Sequence, residues 1–264
     1  MISGLVLVAY LNKSIEGEGI LLSADQHKLR KTGELQMKKS PVMNNREATK
    51  TVYLTFDDGP SQWTNEILDI LHMYDIQATF FMIGSNLDQS ELHRAVQRAS
   101  EAGHYIGAHS MTHDNEILYR QKNFVSEMEQ TIEMIEEITS KSPNLVRAPY
   151  GSLPGLRNDE ILSQIRSKNM KIWDWTIDTY DWEKGTNVEK ILATLQENVH
   201  RDVEVVLLHE REQTLKALPE IIRFFSEQGY GFEVYQEENH FPINFLGDDE
   251  LSRIYLYIRN ALSI

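Results

Sequence analysis

From residue 51 onward the chain alternates between two hydrophobic rhythms. Short apolar runs at 52–56, 78–83, 105–108, 144–147, 171–177, 203–208 and 231–235 predict strands. The stretches between them, 65–74, 89–102, 124–139, 158–168, 188–199 and 213–228, predict helices. Their apolar residues recur at three- and four-residue steps, as Ile132, Ile135 and Ile138 do with Met128 on the same face. Gly103 and Gly229 stand where helix C-caps are expected. Strand, helix, strand in repetition means a parallel sheet. Seven such strands without a long break predict a closed or nearly closed α/β barrel rather than an open sheet.

Both ends of the chain lack this rhythm. Residues 2–10 are apolar but short of the roughly 20 residues that span a bilayer. No basic residues precede them, as they would precede a secretory core. They read either as the trimmed end of a signal or anchor segment or as a strand packed on the domain. Residues 11–50 show no apolar period and carry Lys28, Arg30, Lys31, Lys38, Lys39, Arg46 and Lys50. This basic linker is read as a solvated arm, with a tether over an anionic membrane or cell wall as the alternative. The barrel domain is then placed at 51–235. Residues 236–264 form a C-terminal extension, and its stripe of Leu251, Ile254, Tyr255, Ile258 and Leu262 is expected to dock on the barrel.

Charge and composition narrow the chemistry. A formal charge of -14 argues against a nucleic-acid partner, which needs a basic face. The chain has no cysteine. Disulfides, thiolate nucleophiles and cysteine-ligated zinc are therefore excluded, and any metal must use His, Asp or Glu. The G-x-S-x-G elbow of many serine hydrolases is also missing.

The polar residues that remain to be explained fall at the ends of predicted strands. Thr55-Phe56-Asp57-Asp58-Gly59-Pro60 closes the first. Two adjacent carboxylates in a partly buried place are costly unless a cation or a proton intervenes. They suggest one carboxylate on a metal and the other acting as a base, although Asp-Gly-Pro is also ordinary turn chemistry. After the third strand, His109 and His113 stand four apart, a spacing that would bring imidazoles one helical turn apart to one ion. Arg147 ends the fourth strand, Asp178 and Asp181 follow the fifth, and His209 ends the sixth. In α/β barrels the strand C-termini converge on active sites, which favours catalysis over isolated turns and salt bridges.

Taken together, TFDDGP, HSMTH, RAPYG, DTYDW and LLH, in that order, resemble the polysaccharide deacetylases of the NodB-homology type, carbohydrate esterase family 4. The resemblance spans roughly residues 50 to 235 and implies a distorted (β/α) barrel holding one divalent metal. Zinc is expected first, with cobalt, nickel or manganese also compatible with two His and one Asp. It implies removal of N-acetyl groups from N-acetylglucosamine residues of a polysaccharide. Peptidoglycan is the first expectation, chitin oligosaccharides the second and acetylated xylan the third. By resemblance, Asp58, His109 and His113 are the metal ligands and Asp57 the base, held by Arg147. The Tyr150 amide donates to the oxyanion. His209 is the general acid with Asp181 behind it, and Trp182 and Leu207 wall the acetyl pocket. Two positions depart from the family pattern: Ala108, where many members have Asn, and Glu210, where Asp is common. A polymer of the cell wall implies an extracytoplasmic location, secreted or membrane-anchored.

Two other classes are weighed against this reading. A glycoside hydrolase would use Asp57 and Asp181 as its carboxylate pair and need no metal. A wall-binding module without catalysis would lack a ligand, and here all three are present. Among the tryptophans, Trp173 and Trp175 are expected in the core, and Trp63 and Trp182 against sugar.

Overall fold

The computed structural model describes residues 48–246. The apolar run 2–10, nearly all of the basic linker and the stripe from Leu251 to Leu262 lie outside the described residues. Within them, strands β1 (Lys50–Gly59), β2 (Thr79–Met82), β3 (Tyr105–Ala108), β4 (Leu145–Val146), β5 (Lys171–Ile172), β6 (Ile177–Asp178), β7 (Val203–His209) and β8 (Tyr230–Glu233) form one parallel sheet. Its order is β5-β4-β3-β2-β1-β7-β6, with β8 beside the start of β1. The sheet curls into an open barrel wrapped by α1 (Thr64–Met73), α2 (His93–Glu101), α3 (Phe124–Thr139), α4 (Asp159–Ser167), α5 (Val188–Asn198) and α6 (Glu212–Glu227). No helix of the described residues is long and apolar enough to cross a membrane.

The helices start and stop for local reasons. Asn158 caps α4 by accepting from the backbone N–H of Glu160 and Ile161, and Asn187 caps α5 by accepting from Lys190. Gly103 and Gly229 follow α2 and α6 with φ of +87° and +82°, a region that a side chain rarely enters. Met128 and Ile135 are fully buried, and Ile132 and Ile138 flank them against the same core.

The alternation along β1 builds both halves of the molecule. Val52, Leu54 and Phe56 point outward into the large core beneath the helices. The intervening Tyr53, Thr55 and Asp57 point into the barrel. At the lower end Tyr53 meets Trp173 and Phe241 with ring centroids 5.5 and 5.3 Å apart, and Tyr235 packs against Trp173 from another side. This aromatic plug fills the barrel to the level of Phe81, whose ring lies 4.2 Å beneath the Arg147 guanidinium. Above that level the lining is polar.

One predicted strand is corrected. The run 171–177 is not continuous but breaks into β5 and β6. Trp173 turns its side chain into the plug, and Asp174 is fully buried as an acceptor for the N–H groups of Ser152 and Phe245. The break leaves a seam in the barrel. Ile243 pairs beside Trp173 there, with its carbonyl accepting from Asp174 N at 2.7 Å. The preference for core therefore fits Trp173, while Trp175 is only half-buried at the rim. Trp63, expected against sugar, is partly buried against the main core.

Candidate active site

The upper rim of the barrel gathers the polar strand ends into one cluster. Arg147, fully buried, arranges its donors on one side of it. Nε bonds Trp173 O at 2.9 Å and Nη2 bonds Asp174 O at 2.8 Å. Nη1 bonds Thr55 Oγ1 at 2.6 Å and Asp57 Oδ1 at 2.9 Å. Asp57 is thus ion-paired in a buried place, where removing one partner and leaving the other charge alone is costly. Its other oxygen, Oδ2, lies 3.6 Å from His109 Nε2.

Asp58 turns the other way because its backbone is left-handed, with φ 67°. The pleat alone would not set neighbouring side chains over one site, so this local strain does. Its Oδ1 lies 3.7 Å from His109 Nε2 and 3.6 Å from His113 Nε2. One donor atom from each of the three residues lies within 4.8 Å of the others. His109 Nδ1 sits 2.8 Å from the Arg147 carbonyl, which can only accept, so Nδ1 donates there and Nε2 is the ring nitrogen turned toward Asp58. It faces Asp58 Oδ1, a buried acceptor with no hydrogen-bond partner among the described residues. A buried carboxylate oxygen without a hydrogen bond, set between two imidazole nitrogens, fits a cation site. Burial opposes the charge on Asp58, but His109, His209, His113 and Arg211 outweigh it and hold its carboxyl below the ordinary range. Burial, and then the neighbouring His109, push His113 down, which favours the neutral imidazole that binds metal.

The histidine pair converges differently from the expected helical turn. Residues 109–113 form a loop, with Ser110 and His113 at φ 67° and 55°. Glu127 of α3 fixes it, accepting from the N–H groups of Met111 and Thr112 at 3.1 and 2.9 Å and from the Thr112 hydroxyl. Glu127 was not singled out from the sequence. Its signal was a carboxylate on the buried face of α3, between Phe124 and Thr131. Tyr150, at φ 66°, packs its ring edge-on to His113, centroids 4.8 Å apart, and donates its hydroxyl to the His113 carbonyl.

Across the cleft, β7 pairs with β1 so that His209 stands opposite Asp57. His209 Nδ1 lies 2.7 Å from Asp181 Oδ1, and its backbone N–H donates to Oδ2 of the same carboxylate. Thr214 of α6, also missed from the sequence, donates to Oδ2 as well. Burial disfavours the charged His209 ring, but the Asp181 hydrogen bond and charge prevail and raise its pKa. With Nδ1 committed to Asp181, Nε2 is the nitrogen left to face the cleft. Leu207 is buried below, and Trp182 is 44% exposed at the rim with its indole N–H on Asp178. Asp57, Asp58, His109, His113, Arg147, Tyr150, Asp181 and His209 therefore come together at this one rim. A cavity of about 400 Å³ beside His104, Tyr105 and Glu237 lies at the start of β3, away from the site.

The chain is similar to known polysaccharide deacetylases. The family model for polysaccharide deacetylases matches residues 44–173. A peptidoglycan-N-acetylglucosamine deacetylase of Bacillus cereus is 41% identical over 220 residues, 81% of this chain and 80% of the relative. Among solved structures, the polysaccharide deacetylase Bc1974 from Bacillus cereus aligns with a TM-score of 0.72 at 42% identity, over 75% of this chain and 98% of its own. The catalytic domain of a peptidoglycan N-acetylglucosamine deacetylase from Eubacterium rectale aligns with a TM-score of 0.68 at 25% identity, over 80% and 99%.

Proposed function

The chain belongs to the polysaccharide deacetylase family, and from that premise we propose that it is a metal-dependent hydrolase removing N-acetyl groups from N-acetylglucosamine residues of peptidoglycan. One observation carries the reading: the unpartnered Asp58 Oδ1 facing the His109 and His113 nitrogens, beside the separately held Asp57. Asp58, His109 and His113 would hold one divalent ion, zinc by first expectation, with cobalt, nickel or manganese compatible with the same donors. Such an ion supplies Lewis acidity toward the acetamide carbonyl and the attacking water.

The chain's own residues supply the rest. Asp57, kept oriented by Arg147, takes the proton of the attacking water. The Tyr150 backbone N–H donates to the carbonyl oxygen as charge develops there. His209, with Nδ1 on Asp181, presents Nε2 and gives its proton to the departing nitrogen, which could not leave as an amide anion. Trp182 and Leu207 wall the space for the acetyl methyl group.

The glycosidase alternative loses support from the same geometry. Asp181 is fully buried under His209 and Thr214, so it does not face a glycosidic bond as the second carboxylate of a pair with Asp57. An extracytoplasmic location belongs to this proposal because a cell-wall substrate lies outside the membrane. The apolar run 2–10 and the basic stretch after it suit association with a membrane or wall. The test is acetate release from peptidoglycan and from N-acetylglucosamine oligomers, before and after chelation and with zinc or cobalt returned. Release abolished by chelator and restored by metal is expected. An unaffected rate under chelation would refute the metal role. Absence of acetate from every acetamido sugar, with metal bound, would refute the activity.

A further inference from the structure

We propose that Phe245, delivered by the C-terminal segment, joins Trp175 and Tyr150 as an aromatic platform that binds a second pyranose ring of the polymer, next to the one deacetylated. The inference rests on the function proposed above and names a binding residue beyond it. Phe245 lies outside the residues 44–173 that the family model matches. Its ring is 40% exposed, yet its backbone is held tightly. Its N–H donates to Asp174 Oδ2 at 2.8 Å and to Ser152 Oγ at 3.0 Å. Asp174 and Ser152 are both fully buried and are bonded to each other through Ser152 N and Oγ. Asp174 ties the amides of Ser152 and Phe245 together at the cost of burying a carboxylate, and burial does raise its pKa. The same anchor that holds the Ser152 loop holds the exposed aromatic in place.

The placement points to a sugar. The Phe245 ring packs edge-to-face on Trp175, centroids 5.1 Å apart, and directly against Gly151, where an added Cβ would meet the ring at 3.0 Å. Gly151 follows Tyr150, which is 57% exposed and whose ring touches the metal-ligand candidate His113. Phe245 and Trp175 thus form an aromatic pair against Gly151, one residue from the exposed Tyr150 and beside the reaction centre, where the Arg147 guanidinium lies 5.8 Å from the Trp175 ring. Apolar rings left facing water beside a polar site mark a binding surface. A β-linked N-acetylglucosamine ring carries its substituents equatorially, so its faces present axial C–H bonds. These suit the negative face of an aromatic ring.

Wild type, Phe245→Ala and Phe245→Tyr are compared on N-acetylglucosamine oligomers of increasing length. Binding of the longest oligomer is measured in parallel by calorimetry, which does not require turnover. The specificity constant of the wild type is expected to rise with length. Phe245→Ala should lose about tenfold on long oligomers through KM, keep kcat and keep its rate on the shortest substrate. Phe245→Tyr should restore the length dependence. Calorimetric affinity for the long oligomer should fall by the same factor in Phe245→Ala. Unchanged affinity and length dependence in Phe245→Ala would overturn the platform. So would an equal kcat loss at every length with a lowered melting temperature, which would mark a structural role. If the wild type released no acetate at all, the proposed activity would fail, and the calorimetric comparison would still decide whether Phe245 binds the sugar chain.

Discussion

Glu210 offers a quantitative test of how tightly the end of β1 is tied to the end of β7. Its side chain is buried beneath the Asp58–Pro60 turn. Oε2 accepts from Ser61 N at 3.0 Å, from Ser61 Oγ at 2.8 Å and from Thr64 Oγ1. Oε1 has no hydrogen-bond partner among the described residues and lies 2.1 Å from where a Cβ on Gly59 would sit. Burial outweighs those donors and pushes the carboxyl from 4.5 up to about 7. Between those values the native chain keeps a proton that the unfolded chain has released. Stability contributed by this site is therefore present below pH 4.5, falls as pH rises, and is lost above about 7. At about 1.4 kcal/mol per pH unit, the loss is about 3 kcal/mol. Glu210→Gln keeps the shape and removes the titration. Its amide NH₂ then meets the unpartnered side, at a cost of about 1–3 kcal/mol at every pH. The variant should be less stable than wild type at pH 4.5 and equal or more stable at pH 8. Denaturant unfolding of both proteins from pH 4 to 8.5 measures this directly. A stability difference that stays flat across that range would refute the reasoning, because it would mean Glu210 ionises at no cost.

The site makes further predictions. Asp57→Asn should lower kcat by at least about 10²-fold, the scale of a lost general base, and retain metal by elemental analysis; loss of metal would mean the two aspartates are reversed. His113→Ala should bind metal at least about 100-fold more weakly in a competition titration, and unchanged affinity would remove His113 from the ligand set. Asp181→Asn should move the alkaline limb of the rate profile to lower pH, since Asp181 raises the His209 pKa and the acid is lost as pH climbs through it; an unmoved limb would detach His209 from that role. Arg147→Met should destabilise the protein by about 3–5 kcal/mol in denaturant unfolding, because Asp57 would be left as an unpaired buried charge. A cost below about 1 kcal/mol would show that the pair is not isolated from water.

What the sequence alone determined about this protein is what short-range rules govern. Helix α3 begins and ends at the residues its periodicity predicts, and Gly103 and Gly229 terminate helices, because capping and amphipathicity act within a turn or two. The alternation in 52–56 likewise specifies which side chains enter the barrel. The site residues were legible because their types and order form a recognisable set at strand ends. Tertiary structure decided the rest. The run 171–177 satisfies a strand pattern, yet it breaks because Asp174 bonds Ser152 and Phe245, the latter 71 positions away. The His109–His113 pair has helical spacing, yet it forms a loop because Glu127 captures the Met111 and Thr112 amides and Ser110 and His113 adopt left-handed backbones. Thr214 and Phe245 reach the rim only because α6 and the C-terminal segment fold back onto it. Such contacts join residues far apart in the chain, and no local periodicity encodes where they meet.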